Sequence, residues 1–147
     1  MSDTAVGSVV EAEQAARLRL AITRLHRALR QQVVAGLTPA QIATLATVER
    51  LGNATLGELA SAERVQPPSM TRMVGALEAA EMIERTLDAE DRRVARVAMT
   101  ANGRRTLQKI RSLRTALLVK RIRRLSAGER ERLVDALSVL ERLVDEP

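Results

Sequence analysis

Apolar side chains recur along the chain at two periods, and the change from one to the other divides it. Over residues 11–34, Leu18, Ile22, Leu25, Leu29 and Val33 return every three or four positions, which predicts one long amphipathic helix. Gly36 ends it. Thr38-Pro39-Ala40-Gln41 then reads as a capping box with proline at the first helical position. It predicts a second helix through Ile42, Leu45, Val48 and Leu51, closed at Gly52-Asn53. Thr55-Leu56-Gly57-Glu58 is a second capping box and opens a short helix through Leu59 to Ala62. A fourth helix, about residues 66–80, begins at Gln66 with Pro67 and Pro68 side by side. It spaces Met70, Met73, Val74 and Leu77 on one face.

From residue 83 the period shortens. Ile83 to Leu87 and Val94 to Met99 flank the polar hexapeptide from Asp88 to Arg93. Ala95, Val97 and Met99 alternate with Arg96 and Ala98, the pattern of a strand with one buried face. A β-hairpin over 83–99 is the simplest joining. Thr100 caps a long fifth helix with Leu107, Ile110, Leu113, Leu117 and Ile122 inward. Ser126-Ala127-Gly128-Glu129 is a third capping box, and the last helix carries Leu133, Leu137, Leu140 and Val144. The predicted fold is mainly α with a small β-hairpin: four helices, the hairpin, then two helices. At 147 residues, a single domain over 1–147 is expected.

The fourth helix poses a question of purpose, because its first exposed turns carry Ser69, Thr71 and Arg72. A short helix, a brief turn and a longer helix with a polar N-terminal face form a helix-turn-helix, here residues 55–80. In that arrangement the second helix enters the DNA major groove and its N-terminal residues meet base edges. Prolines at the entrance have no N–H to leave unsatisfied and a φ already suited to the helix. The helix N-terminus also carries partial positive charge suited to phosphate. Arginine can bridge guanine O6 and N7, while serine and threonine hydroxyls serve base or phosphate. Gln66, Pro68, Ser69, Thr71 and Arg72, with Thr55 at the preceding helix start, are the candidate DNA-facing residues. The hairpin that follows makes the unit a winged helix. Arg92, Arg93 and Arg96 are candidates to reach the minor groove or its phosphates, and Asp91 to orient an arginine.

Composition strengthens this reading. The formal net charge is +6, and twelve Lys or Arg residues lie between Arg92 and Gly128 with no Asp or Glu among them. That balance suits a polyanionic partner. Locally, however, the hairpin is neutral, with Arg85, Arg92, Arg93 and Arg96 against Glu84, Asp88, Glu90 and Asp91. Phe, Tyr, Trp and Cys are all absent. A core of Leu, Val, Ile, Ala and Met buries less area per residue, which favours an additional core between two chains. The apolar stripes of the last two helices, within residues 100–145, are expected to pack in that second core. The lack of Cys excludes disulfides, zinc–thiolate sites and thiol redox sensing. Residues 1–16 show no basic start followed by an apolar run, and no apolar stretch reaches bilayer length. A cytoplasmic protein without membrane association, nucleoid-associated when DNA-bound, is expected.

The run from Pro67 to Gly103 resembles the recognition helix and wing of the MarR family of bacterial transcription regulators. The matching features are Asp91-Arg92-Arg93, then Val94 and Val97, then Met99-Thr100-Ala101-Asn102-Gly103. The flanking helices agree in order. The resemblance implies an obligate homodimer through the N-terminal and last two helices, two winged domains on a pseudopalindromic operator, and release by a small, often phenolic, effector. The chain offers no aromatic ring to stack on such a ligand. His26, the only histidine, is the candidate ligand contact, although a lone helical histidine is more often structural. Without a His or Cys partner it makes no zinc site.

An enzyme would need a nucleophile–base pair, a metal cluster or a phosphate-binding glycine loop, and the sequence assembles none. No cofactor is expected. The competing reading is a non-specific architectural DNA-binding protein, for which the basic tract alone would suffice.

Overall fold

The structure is a computed structural model describing residues 3–30 and 36–145, with side chains from residue 11 onward. Six helices and three short strands follow in order: α1 (Asp3–Arg30), α2 (Pro39–Leu51), β1 (Ala54–Thr55), α3 (Leu56–Glu63), α4 (Pro67–Ala79), β2 (Ile83–Leu87), β3 (Ala95–Met99), α5 (Ala101–Ile122) and α6 (Ala127–Asp145). The chain forms two compact units, the first ending at Arg111 and the second starting at Ser112, where the length suggested one domain. Among the described residues, no helix is long and apolar enough to cross a membrane.

Local chemistry accounts for the helix starts. The Thr38 hydroxyl accepts from the Gln41 N–H while the Gln41 side chain accepts from the Thr38 N–H. Thr55 and Glu58 do the same for α3, and Ser126 and Glu129 for α6. Each pair satisfies two donors that a helix N-terminus otherwise leaves open. In consequence the Glu58 and Glu129 carboxyls lie below their ordinary range, held there first by the backbone N–H of Thr55 and of Ser126.

Three sequence expectations are corrected. Helix α1 starts at Asp3 rather than residue 11, and the expected end at residues 31–34 lies outside the described residues. The sheet has three strands, not two: β1 pairs antiparallel with β3, Ala54 against Val97 and Thr55 against Arg96, giving the order β1-β3-β2. Of the predicted inward residues of α5, Leu107 and Ile110 are buried and Leu117 and Ile122 half-buried, but Leu113 is exposed.

The core lies among α2, α3, α4, the sheet and the start of α5. Leu45, Val48, Leu59, Met70, Val74, Leu77, Val97 and Ile110 are fully buried. Each such side chain contributes roughly 1.5–3 kcal/mol on leaving water, so aliphatic residues suffice here without a ring. Elsewhere apolar surface stays open. Helix α6 has no buried residue, and Ile22, Leu137 and Val144 are 54%, 48% and 83% exposed.

Candidate nucleic-acid interface

Helix α4 stands on Met70, Val74 and Leu77, all buried, so its opposite face must be the open one. There Gln66, Pro68, Thr71 and Arg72 are exposed, and Ser69 is half-buried. Met73, also half-buried, accepts a hydrogen bond at its sulfur from the Thr44 hydroxyl of α2, at 3.4 Å. This contact joins α4 to α2 beside the buried face that sets the helix's orientation.

The entrance of α4 departs from expectation in one respect. Pro67 and Pro68 have no N–H, and the N–H groups of Ser69 and Met70 both donate to the Gln66 carbonyl, at 2.9 and 3.2 Å. The first turn therefore has no spare N–H for a phosphate. Gln66 occupies the N-cap position without using its side chain as a cap, which leaves the amide available. Thr71 donates its hydroxyl to the Pro67 carbonyl at 3.0 Å, so that oxygen remains an acceptor only. Arg72 enters no ion pair among the described residues.

The wing is tied at both ends. At its tip, the Asp88 carboxylate accepts the N–H groups of Glu90 and Asp91, at 2.8 and 3.0 Å, and the Arg96 Nε. Arg96 also donates to the Asn53 carbonyl at 3.1 Å, just before β1. The bond from Arg96, then those from the two backbone N–H groups, hold the Asp88 carboxyl at about 2. The same bond raises the Arg96 guanidinium above its ordinary value. Arg96 thus binds the wing to the edge of the sheet, an engagement the DNA-facing assignment did not anticipate. Asp91 accepts the Arg93 N–H at 3.0 Å and lies 3.6 Å from its Nε. It orients the arginine's backbone more than its side chain, which is 94% exposed. Arg92 is exposed beside it.

At the wing base, the Thr100 hydroxyl donates to the Glu81 carbonyl at 2.7 Å and accepts the Gly103 N–H at 3.0 Å. Arg85 of β2 lies 3.0 Å from Glu78 of α4, an ion pair whose Nε is not aligned for a hydrogen bond. It joins the wing to the recognition helix.

Two assigned residues stand elsewhere. Thr55 is half-buried, its hydroxyl accepting from Glu58 and its backbone paired in the sheet. His26 is exposed on α1, 3.1 Å from Arg30. Sequence reasoning missed Asp88, Asn53 and Arg85. Asp88 had a readable signal, an aspartate opening a polar turn. Asn53 and Arg85 had none, because their partners are defined only by the fold.

The sequence profile of the MarR family matches residues 37–95, from the end of the loop before α2 to the start of β3. An HTH-type transcriptional regulator of Mycobacterium leprae, ML2140, is 33% identical over 137 residues, spanning 92% of this chain and 96% of the relative. The crystal structure of a transcriptional regulator protein from Pseudomonas aeruginosa PA01 superposes with a TM-score of 0.80 at 32% identity, over 93% of this chain and 97% of that one. A Staphylococcus aureus MepR mutant bound to an oligodeoxyribonucleotide shares the fold, with a TM-score of 0.69 at 20% identity over 89% and 97% of the two chains.

Proposed function

The chain belongs to the MarR family, and on that premise we propose that it binds a pseudopalindromic operator as a homodimer and represses transcription there. That it is a transcriptional regulator with a DNA-binding winged helix-turn-helix, and not an enzyme, is common to its relatives and its fold. The observation supporting sequence-specific binding is the α4 surface. An uncapped Gln66 and an unpaired Arg72 project from a helix whose other side is locked by Met70, Val74, Leu77 and the Thr44–Met73 contact. Polar side chains held on a rigid element suit base readout. Exposed Arg92 and Arg93 at the wing tip suit the adjacent minor groove or its phosphates.

Two copies are favoured by the open apolar surface. Leu18, Leu20, Ile22 and Leu25 on α1, with Val134, Leu137, Leu143 and Val144 on α6, are exposed in the single chain. Apolar side chains left open on each of these helices favour an interface, and a two-fold axis would present two recognition helices to two half-sites. In this reading the protein works in the cytoplasm, nucleoid-associated when DNA-bound. Release by a small effector belongs to the same reading, with His26 as its candidate contact, exposed on α1 and 3.1 Å from Arg30.

The test is selection of bound duplexes from a random pool, with sedimentation of the complex. Recovery of a two-fold-symmetric site bound by two chains supports the reading. Recovery of no preferred sequence, with steep salt dependence, would leave a non-specific DNA-binding protein instead.

A further inference from the structure

The turn of the helix-turn-helix holds an arginine in a backbone conformation that favours glycine. Arg64, the C-cap of α3, has φ 53° and ψ 41°, in the left-handed region. Four positive-φ residues occur among the described residues, and two of them, Gly36 and Gly52, are glycines. A third, Glu81, is held from outside by the bond from Thr100 to its carbonyl. Arg64 is held by the bonds of the helix end itself, its own N–H to the Ala60 and Ser61 carbonyls and the Val65 N–H to the Ala60 carbonyl. A side chain in this region costs of order 1 kcal/mol relative to glycine.

The side chain gives no return within the fold. Arg64 is exposed and enters none of the ion pairs described. Its neighbour Glu63 is engaged with the Thr47 hydroxyl. From Arg64 to Leu77 there is no acidic residue, so nothing along the recognition helix's polar face competes for the guanidinium. A side chain retained at a strained backbone position without an internal side-chain partner among the described residues points to an external one.

Resting on the regulator reading above, we propose that Arg64 is a DNA-backbone contact, placing its guanidinium against an operator phosphate where the chain enters the recognition helix. Its role is to seat α4 rather than to read bases. Phosphate contacts fix register and orientation without carrying sequence information, and arginine's planar fork suits a phosphate in two-point contact.

The experiment compares full-length wild type with Arg64→Gly and Arg64→Lys, using anisotropy of a selected operator duplex and an unrelated duplex across a salt series. Thermal unfolding is measured in parallel. Glycine relieves the backbone, so Arg64→Gly should unfold at the same or a higher temperature while binding both duplexes roughly five- to tenfold more weakly. Its slope of log affinity on log salt should shrink by about two, the signature of one lost phosphate contact in each of the two protomers. Arg64→Lys keeps the charge and should retain most of the affinity. An Arg64→Gly protein that binds like wild type with an unchanged slope would make Arg64 a turn residue only. A loss confined to the operator duplex would make it a base-reading residue and overturn the assignment. If Arg64→Gly does not fold, Arg64→Asn, which tolerates the same backbone region, replaces it with the same two outcomes. Wild type that binds no duplex removes the regulator reading itself, and the Arg64 assignment falls with it.

Discussion

A Cβ placed on Gly103 would stand 2.0 Å from the carbonyl oxygen of Met82. That carbonyl is already occupied, accepting the Thr100 N–H at 3.1 Å where the wing closes onto α5. The helix can run this close only because residue 103 has no side chain. Gly103→Ala must push α5 off the base of the wing. A loss of roughly 2–4 kcal/mol in unfolding free energy is expected, within the range of severe packing defects. Urea unfolding of the variant checks it, and a loss under half a kilocalorie would mean that the backbone adapts.

The wing-tip carboxylate should carry a pH dependence of known sign. Asp88 is held below the ordinary 3.8, at about 2, by Arg96 and the N–H groups of Asp91 and Glu90. The folded state therefore favours the charged form, and its contribution is fully present above pH 4. It is lost as pH falls from there toward 2. In a carbon-detected NMR titration the Asp88 carboxyl should have its midpoint well below those of solvated aspartates, and Arg96→Gln should move it upward. A midpoint unchanged by that substitution would remove Arg96 as the principal cause.

Reading by α4 has its own test. Arg72→Ala should cost about 1–3 kcal/mol in operator affinity and relax base preference at one position per half-site. Arg72 is exposed and unpaired in the fold, so the thermal midpoint should hardly move. Unchanged specific affinity in a folded variant would place the base-reading surface elsewhere.

For assembly, exposed positions separate dimerisation from folding better than half-buried ones. Leu137 and Leu143 are 48% and 56% exposed, whereas Leu140 is partly covered in the single chain. Leu137→Glu with Leu143→Glu should put charges into an apolar contact between chains. Sedimentation should then give monomers with helix content retained. A folded dimer from the double variant would take this face of α6 out of the interface.

The features read correctly from sequence are those decided within a few residues. The capping boxes at Thr38, Thr55 and Ser126 needed only a hydroxyl and a Glu or Gln three positions on. The paired prolines marked the start of α4. Contacts at long range were not legible in the same way. Strand β1 is two residues long and exists only because Ala54 and Thr55 find β3. The spacing Thr100 to Gly103 was visible, but the reason for the glycine is the Met82 carbonyl some twenty positions earlier. The early part of α1 was missed because Val6, Gly7, Val9 and Val10 are weak helix formers. Arg96 was assigned by charge alone; its partners Asp88 and Asn53 emerge only with the hairpin in place.

The wing sets position against charge. Arg92 and Arg93 lie at the tip of a segment whose formal charges cancel, so diffuse electrostatics gives them no special weight within the basic tract. Geometry does. Arg93 is 94% exposed, and its pairing with Asp91 at 3.6 Å is a long, solvent-screened one, while Arg96 behind them is committed to Asp88 and Asn53. Replacing both tip arginines with Ala should weaken operator binding and flatten the salt slope by about two to four, since a dimer loses both copies of each. Preference for A·T pairs flanking the half-site should fall, since the minor groove distinguishes mainly A·T from G·C and responds to width. The major-groove preference set by α4 should survive. The control removes equal charge through Lys109→Ala with Lys120→Ala, both exposed on α5. Arg111 is unsuitable there, because its Nη2 lies 2.6 Å from Glu49 and its loss would disturb the fold. The control pair should change affinity much less and leave flanking preference intact. Equal losses from both pairs, with base preference unaltered in each, would reduce the wing to part of a diffuse cationic surface.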